Sequence, residues 1–358
     1  MNSNNIHPMK NLIFKYYKAC LLIILSVFVV TSCEDNNDDI VAQSHAPEIT
    51  LISPAMDENG NKMSPLQNVD YAIGGETYII EGKGFASLKH IYFNDVESYF
   101  NPNFVSDTHI IITIDAKTPY KADQIKKLKI ETGTGTLIKD FTIAPPRPVF
   151  NSFQPINAAD GEEVTIYGNF FVSPIVKVGD KDASIVSLEE TKIVVKLPEG
   201  SQGKKISVTT LSGSKTYGTG VGTAIYDDKF YAPWNIEDWN NHFFVEDQNT
   251  AAQGLVYFGK KMSGWDNLQG NWDSEEDVTK KYTGIKFNVK SDGNGKLKFI
   301  FNGDWGEKFL FTTSKDWKEV RYTWKDLGNP TALKNISFQE FTGSETTYYF
   351  DNITYTVD

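Results

Sequence analysis

Ile80-Glu81-Gly82-Lys83-Gly84-Phe85, preceded by Gly75-Glu76, is echoed later by Ile166-Tyr167-Gly168-Asn169-Phe170, preceded by Gly161-Glu162. Further on, Asp107-Thr108-His109-Ile110-Ile111 is matched by Glu190-Thr191-Lys192-Ile193-Val194. The offset is roughly 85 residues, the length of one small sandwich domain. Around the first copy lie the runs Thr77–Ile80, His90–Phe93, His109–Thr113, Lys127–Ile130 and Leu137-Ile138. They are short, apolar or alternating, and split by Gly, Asn and Asp, which reads as strands. No long stretch has helical period. Asn169 stands where the first copy carries its second Gly. Turn geometry accounts for the glycines, and they are assigned no ligand role.

Pro47 opens the first copy and Pro148 the second, each before an apolar strand. Between them, Ala144-Pro145-Pro146-Arg147-Pro148 is a linker stiffened toward an extended form. The pattern of Pro, Ile, a Gly pair and Gly-x-Gly-Phe resembles the IPT/TIG immunoglobulin-like family over residues 47–222. That resemblance implies two tandem immunoglobulin-like sandwiches, 47–144 and 145–222, acting as a spacer rod.

All seven tryptophans fall between Trp234 and Trp324. Residues 223–358 therefore form a unit of another kind. Gly254–Phe258, Gly284–Val289, Leu297–Phe301, Lys318–Trp324 and Tyr348–Tyr355 are strand patterns. Ser291-Asp292-Gly293-Asn294-Gly295 is a hairpin turn. So many strands in one unit predict a jelly-roll β-sandwich, and the whole chain is expected to be all-β. Trp324 shares the parity of Val320 and Tyr322 and is expected in the core, with Trp317 also structural. Trp234 and Trp239 stand at the start of this unit, where either could seal the junction with the second sandwich.

The N-terminus is an export segment. Lys10, Lys15 and Lys18 precede the apolar run Leu21–Val30, which is shorter than the roughly 20 residues of a membrane span. Val30-Thr31-Ser32-Cys33 then resembles a bacterial lipobox, implying a signal peptide over 1–33 and lipidation at Cys33. Residues 34–46 open with Glu34-Asp35-Asn36-Asn37-Asp38-Asp39, an acidic flexible tether. This run resembles the signal that sends lipoproteins of Bacteroidota to the outer face of the outer membrane. The second cysteine, Cys20, lies in the segment to be removed. The mature chain is then expected to have no disulfide and no thiol nucleophile. A net charge of −11 argues against nucleic acid as partner.

Trp265 and Trp272 sit in Ser263-Gly264-Trp265-Asp266-Asn267-Leu268-Gln269-Gly270-Asn271-Trp272-Asp273, and Trp305 in Asn302-Gly303-Asp304-Trp305-Gly306. These stretches are rich in Gly and amides and poor in aliphatic side chains. Such tryptophans are expected at the surface, as stacking platforms for the C–H faces of sugars. Asp266, Asn267, Asn302 and Asp304 are the expected polar partners. The chain ends of this unit, around Tyr226–Phe230 and Tyr349–Ile353, resemble those of carbohydrate-binding jelly rolls. That likeness makes Asp228 and Asp351 candidates for a structural Ca²⁺; no other cofactor is expected. No His pair has metal-ligand or triad spacing. Two carboxylates suffice for a glycoside hydrolase, and Glu246, Asp247, Glu307 and Glu340 are the acids at hand.

The order of lipobox, acidic tether, tandem IPT/TIG-like domains and Trp-rich sandwich resembles the cell-surface glycan-binding lipoproteins of Bacteroidota polysaccharide-utilisation systems. That resemblance implies non-catalytic capture of a polysaccharide and delivery to a TonB-dependent outer-membrane importer. Few cations near the proposed platform favour a neutral polymer of the β-glucan, xyloglucan or mannan class. The competing reading is a surface adhesin or structural lipoprotein with no glycan site, and a glycoside hydrolase ranks behind it.

Overall fold

The computed structural model describes residues 45–57, 59–121, 123–270 and 277–358. The described residues are all-β, with two short 3₁₀ turns at Pro102–Phe104 and Asp238–Asn240. They bury three separate hydrophobic cores, one after another along the chain.

The repeat seen in the sequence is a repeat of topology. In the first sandwich, strand Thr77–Lys83 lies between Glu48–Pro54 and His109–Thr113. In the second, Glu163–Asn169 lies between Val149–Gln154 and Lys192–Lys196. The opening strand carries a bulge at the same place in both, skipping Thr50 and Asn151. The facing sheets also share one order, in which Leu88–Phe93 pairs Lys127–Thr132 as Ile175–Val178 pairs Lys205–Thr210.

Sterics explain the motif. A Cβ on Gly82 would stand 1.8 Å from the Glu48 carbonyl oxygen and 2.7 Å from the Phe85 ring. On Gly168 it would stand 1.9 Å from the Val149 oxygen and 2.5 Å from the Phe171 ring. Gly82 and Gly168 are therefore equivalent, as are the buried Phe85 and Phe171. This corrects the alignment read from sequence. The residue replacing Gly84 is Phe170, not Asn169; their φ angles are +77° and +61°. A non-glycine side chain in that region is uncommon.

Ala224 packs in the second core and its neighbour Ile225 in the third, so no free linker separates them. Strand Ala224–Asp227 pairs with the closing strand Thr346–Thr356 inside a seven-stranded sheet. A four-stranded sheet in the order Asn267–Gln269, Ile336–Glu340, Gly295–Phe301, Leu310–Thr313 faces it. Phe258, Phe287, Phe299, Phe338 and Phe350 interleave between them. The result is the jelly-roll sandwich. Trp324 lies in this core with Trp234, and the Trp324 indole donates to the Tyr282 carbonyl at 2.7 Å. Trp317 is half-buried and donates to the Thr250 carbonyl at 2.7 Å. Trp239 is exposed.

Candidate functional site

The outer face of the four-stranded sheet follows from its register. Leu297, Phe299 and Phe301 point into the core, so Lys296, Lys298 and Ile300 point away from it. Gln339 lies opposite both Asn267 and Lys298, and Lys298 opposite Leu310. These side chains form one row across the sheet. Beside it, Phe341 continues its strand and donates its N–H to the Lys296 carbonyl at 2.9 Å.

Two exposed indoles border this row. Trp265 is 56% exposed and meets Phe341 edge to face, with centroids 5.0 Å apart. Trp305 is 42% exposed. Lys298 joins the two sides. Its Nζ lies 5.1 Å from the Phe341 centroid and 5.7 Å from that of Trp305, and donates to the Trp305 carbonyl at 2.9 Å.

Trp265 is held out against its own backbone preference, at φ +68°. Glu340, fully buried, supplies the anchor. Its Oε2 accepts the N–H groups of Trp265 (3.1 Å) and Gly343 (2.9 Å). Its Oε1 accepts from Thr342 N at 2.6 Å, from the Thr342 hydroxyl, and from Tyr348 Oη at 3.3 Å. Burial pushes this carboxyl up, but the Thr342, Trp265 and Gly343 donors outweigh it and hold the group below the usual range. Gln339 Nε2 donates to the Trp265 carbonyl at 3.2 Å.

The polar residues expected beside the rings turn mostly inward. Asp266 is paired with buried Lys260 at 3.1 Å and accepts the Asn267 N–H at 2.7 Å. Asn267 Oδ1 accepts from Gln269 Nε2 at 2.6 Å. Asn302 holds a left-handed turn at φ +50° by accepting from Lys334 N at 2.7 Å and donating to Ala332 O at 2.8 Å. Asp304 is exposed and accepts the Gly306 N–H at 3.0 Å. Asn302 and Asp304 thus shape the loop that presents Trp305. Trp272 and Cys33 lie outside the described residues. Sequence reasoning missed Phe341, Gln339, Lys298 and the anchoring role of Glu340. The alternation of Lys296 and Lys298 with Leu297 and Phe299 was the available signal for an outward row.

Asp228 and Asp351 do not fit a Ca²⁺ site. Asp351 Oδ2 accepts the Ala252 and Gln253 N–H groups at 2.8 and 2.9 Å, and Oδ1 accepts Asn352 N at 2.7 Å. Asp228 Oδ1 accepts Leu255 N at 2.6 Å and Val256 N at 2.7 Å. Backbone donors thus engage Asp228 Oδ1 and both Asp351 oxygens, leaving Asp228 Oδ2 as the one oxygen of the four that accepts no hydrogen bond among the described residues. No group of three His, Cys, Asp or Glu side chains converges among the described residues.

The four acids considered for hydrolysis differ in their surroundings. Glu340 has its oxygens taken up by the chain, and Asp247 is committed to Asn249 N at 3.0 Å and Thr250 Oγ1 at 2.7 Å. Glu246 and Glu307 are exposed.

Fold and surface together define a three-sandwich protein with an aromatic face on its last unit. Residues 148–224 match the IPT/TIG domain family, and this segment is the second sandwich. An IPT/TIG domain-containing protein of Bacteroides ovatus is 26% identical over 169 residues, or 44% of this chain. The chain spans about a third (32%) of the length of that curated relative. Among solved structures, a surface glycan-binding protein from Prevotella bryantii is 18% identical with a TM-score of 0.41, covering 88% of this chain and 99% of that one. A counterpart from a complex xyloglucan utilization locus in Bacteroides uniformis is 15% identical with a TM-score of 0.33, covering 88% and 100%. A family 11 carbohydrate-binding module from Clostridium thermocellum is 13% identical with a TM-score of 0.26, covering 38% and 94%.

Proposed function

We propose that this chain captures a polysaccharide without cleaving it, on the outer face of the four-stranded sheet of its last sandwich. The observation that carries the reading is Trp265, an indole kept in solvent on a left-handed backbone by the buried Glu340 carboxylate. Strain of this kind costs on the order of 1–3 kcal/mol and persists where the surroundings enforce it. A ring meant only for the core needs no such scaffold. Trp305 across the row supplies a second stacking face, with half-buried Gln339 between the two as a hydrogen-bond group and buried Lys298 beneath them holding the Trp305 carbonyl.

Charges of both signs are mixed on this face and the neighbouring loop, with Lys296, Lys298 and Lys308 beside Asp304 and Glu307, and this mixture supports a neutral polymer of the β-glucan, xyloglucan or mannan class. Each stacked ring contributes roughly 0.5–1.5 kcal/mol beyond area burial, taking aromatic pairs as a guide. Two rings and a few hydrogen bonds therefore give affinities in the micromolar to millimolar range, roughly −8 to −4 kcal/mol. Many anchored copies on one polymer raise this by avidity. In this reading Cys33 carries a lipid, the chain stands on the outer face of the outer membrane, and the captured glycan passes to a TonB-dependent importer.

Affinity electrophoresis against a panel of neutral polysaccharides tests the proposal. Retardation is expected, and it should fall in Trp265→Ala and Trp305→Ala variants that remain folded. Free migration through every polymer would refute it, and release of reducing sugar over time would replace it with hydrolysis.

A further inference from the structure

The last two sandwiches enclose a cleft of about 750 Å³, on a different part of the molecule from the Trp265 face. One wall is the outer face of the strand pair Val149–Gln154 and Glu163–Asn169. Tyr167 and Asn169 alternate there with core residues Val164 and Ile166, and the bulge turns Asn151 outward. The other wall is loop 248–254 of the last sandwich. From these elements we infer that the cleft is a second saccharide-binding site, taking a neutral oligosaccharide of a few rings.

Three observations support this. First, the walls are fixed. Buried Gln253 receives the Tyr217 hydroxyl at 2.6 Å and donates to the Phe153 carbonyl, bonding to the second sandwich in both directions. Ile156 N donates to Asp227 Oδ2 at 2.8 Å, and Asn157 exchanges two hydrogen bonds with Ala224. Clefts between loosely joined domains open and close, whereas this one is preorganised for a ligand.

Second, the lining is amide-rich. Asn151, Asn169 and Gln248 make no side-chain hydrogen bond to the chain among the described residues, so their donors and acceptors are open to ligand hydroxyls. The Tyr167 ring lies among them as a stacking face. Third, Glu189 and Lys192 are single opposite charges on the rim, which suits an uncharged, hydroxylated ligand over an anion or a cation. The volume falls within the roughly 300–1,000 Å³ typical of small-molecule sites, which favour domain junctions.

The test is calorimetric titration of the full chain with cellohexaose, mannohexaose and a mixed-linkage glucan heptasaccharide, followed by hydrogen exchange in the bound state. Two sites are expected in the unmodified chain. The Trp265→Ala/Trp305→Ala variant should keep one, with ligand protection at 189–192 and 248–254. Adding Tyr167→Ala or Gln248→Ala should weaken that site at least tenfold; Gln248 is exposed, so its replacement leaves the fold intact even if Tyr167→Ala does not. Loss of all binding on removing the two tryptophans would overturn the cleft and leave the Trp265 face standing. Binding untouched by that removal but lost with Gln248→Ala would uphold the cleft and refute the Trp265 face. Failure of every probe to bind the unmodified chain would also overturn the inference.

Discussion

The backbone N–H of Trp265 points at Oε2 of Glu340, 3.1 Å away, so a buried acid sets the position of an exposed ring. The same carboxylate gathers Gly343, Thr342 and Tyr348, tying the loop before one strand to the turn after its neighbour. A glutamine cannot accept at both ends, because its NH₂ would confront one set of donors. Glu340→Gln is expected to cost on the order of 1–3 kcal/mol of stability. It should also weaken polysaccharide binding, although Glu340 itself is out of a ligand's reach. Because the folded carboxyl is held below its ordinary value, its contribution is present above that value and lost as pH falls through the lowered one. Chemical denaturation at pH 7 and below pH 4 checks this: the gap between wild type and Glu340→Gln should close in acid.

Exposed and buried tryptophans should separate cleanly on truncation. Trp265→Ala and Trp305→Ala remove rings with solvent on one face, and each should cost about tenfold or less in affinity with little change in melting temperature. Trp324 fills the core and donates to Tyr282, so Trp324→Ala should cost about 3–5 kcal/mol. Thermal unfolding run beside affinity electrophoresis distinguishes the two classes. A large stability loss on truncating Trp265 would make it a structural residue.

The paired sandwiches were legible because their motif is local. Gly82 and Phe85 lie three residues apart and meet in space, so the spacing itself records the contact. Exposure of Trp265 was legible from its Gly- and amide-rich neighbours. Lys298, Gln339 and Phe341 were not, since they come together only through pairing of strands distant in sequence. Nor does Glu340 look different in sequence from any surface acid. Its role depends on a turn at Thr342–Gly343 and a loop more than seventy residues upstream. The surroundings of Asp228 and Asp351 were hidden for a related reason: a loop fixed by tertiary contacts brings amides to both carboxylates.

Equivalence of the repeats makes a paired prediction. Gly82→Ala and Gly168→Ala each drive a methyl into a backbone carbonyl at under 2 Å, 1.8 and 1.9 Å respectively. Backbone cannot step aside as a side-chain tip can, so each should destabilise its own sandwich by at least about 1–3 kcal/mol. The two changes sit in different cores and should add. Limited proteolysis should then open the first sandwich in one variant and the second in the other. Equal damage to both sandwiches from either change would argue against independent cores.

Asp227 is expected to make the junction between the last two sandwiches sensitive to pH. It is buried and accepts Ile156 N through Oδ2 at 2.8 Å. Burial, with Asp228 nearby, pushes its carboxyl up to about 7, against 3.8 for an ordinary aspartate. The folded state therefore binds this proton more tightly than the unfolded one. Stability from this group is greatest below pH 4, declines as pH rises toward 7, and levels off above it. A shift of that size corresponds to at most roughly 4 kcal/mol. Asn mimics the neutral acid, so Asp227→Asn should match wild type near pH 4 and exceed it at pH 8. Urea unfolding of both chains at the two pH values measures the difference directly, and a difference that stays constant with pH would show that Asp227 remains ionised in the fold.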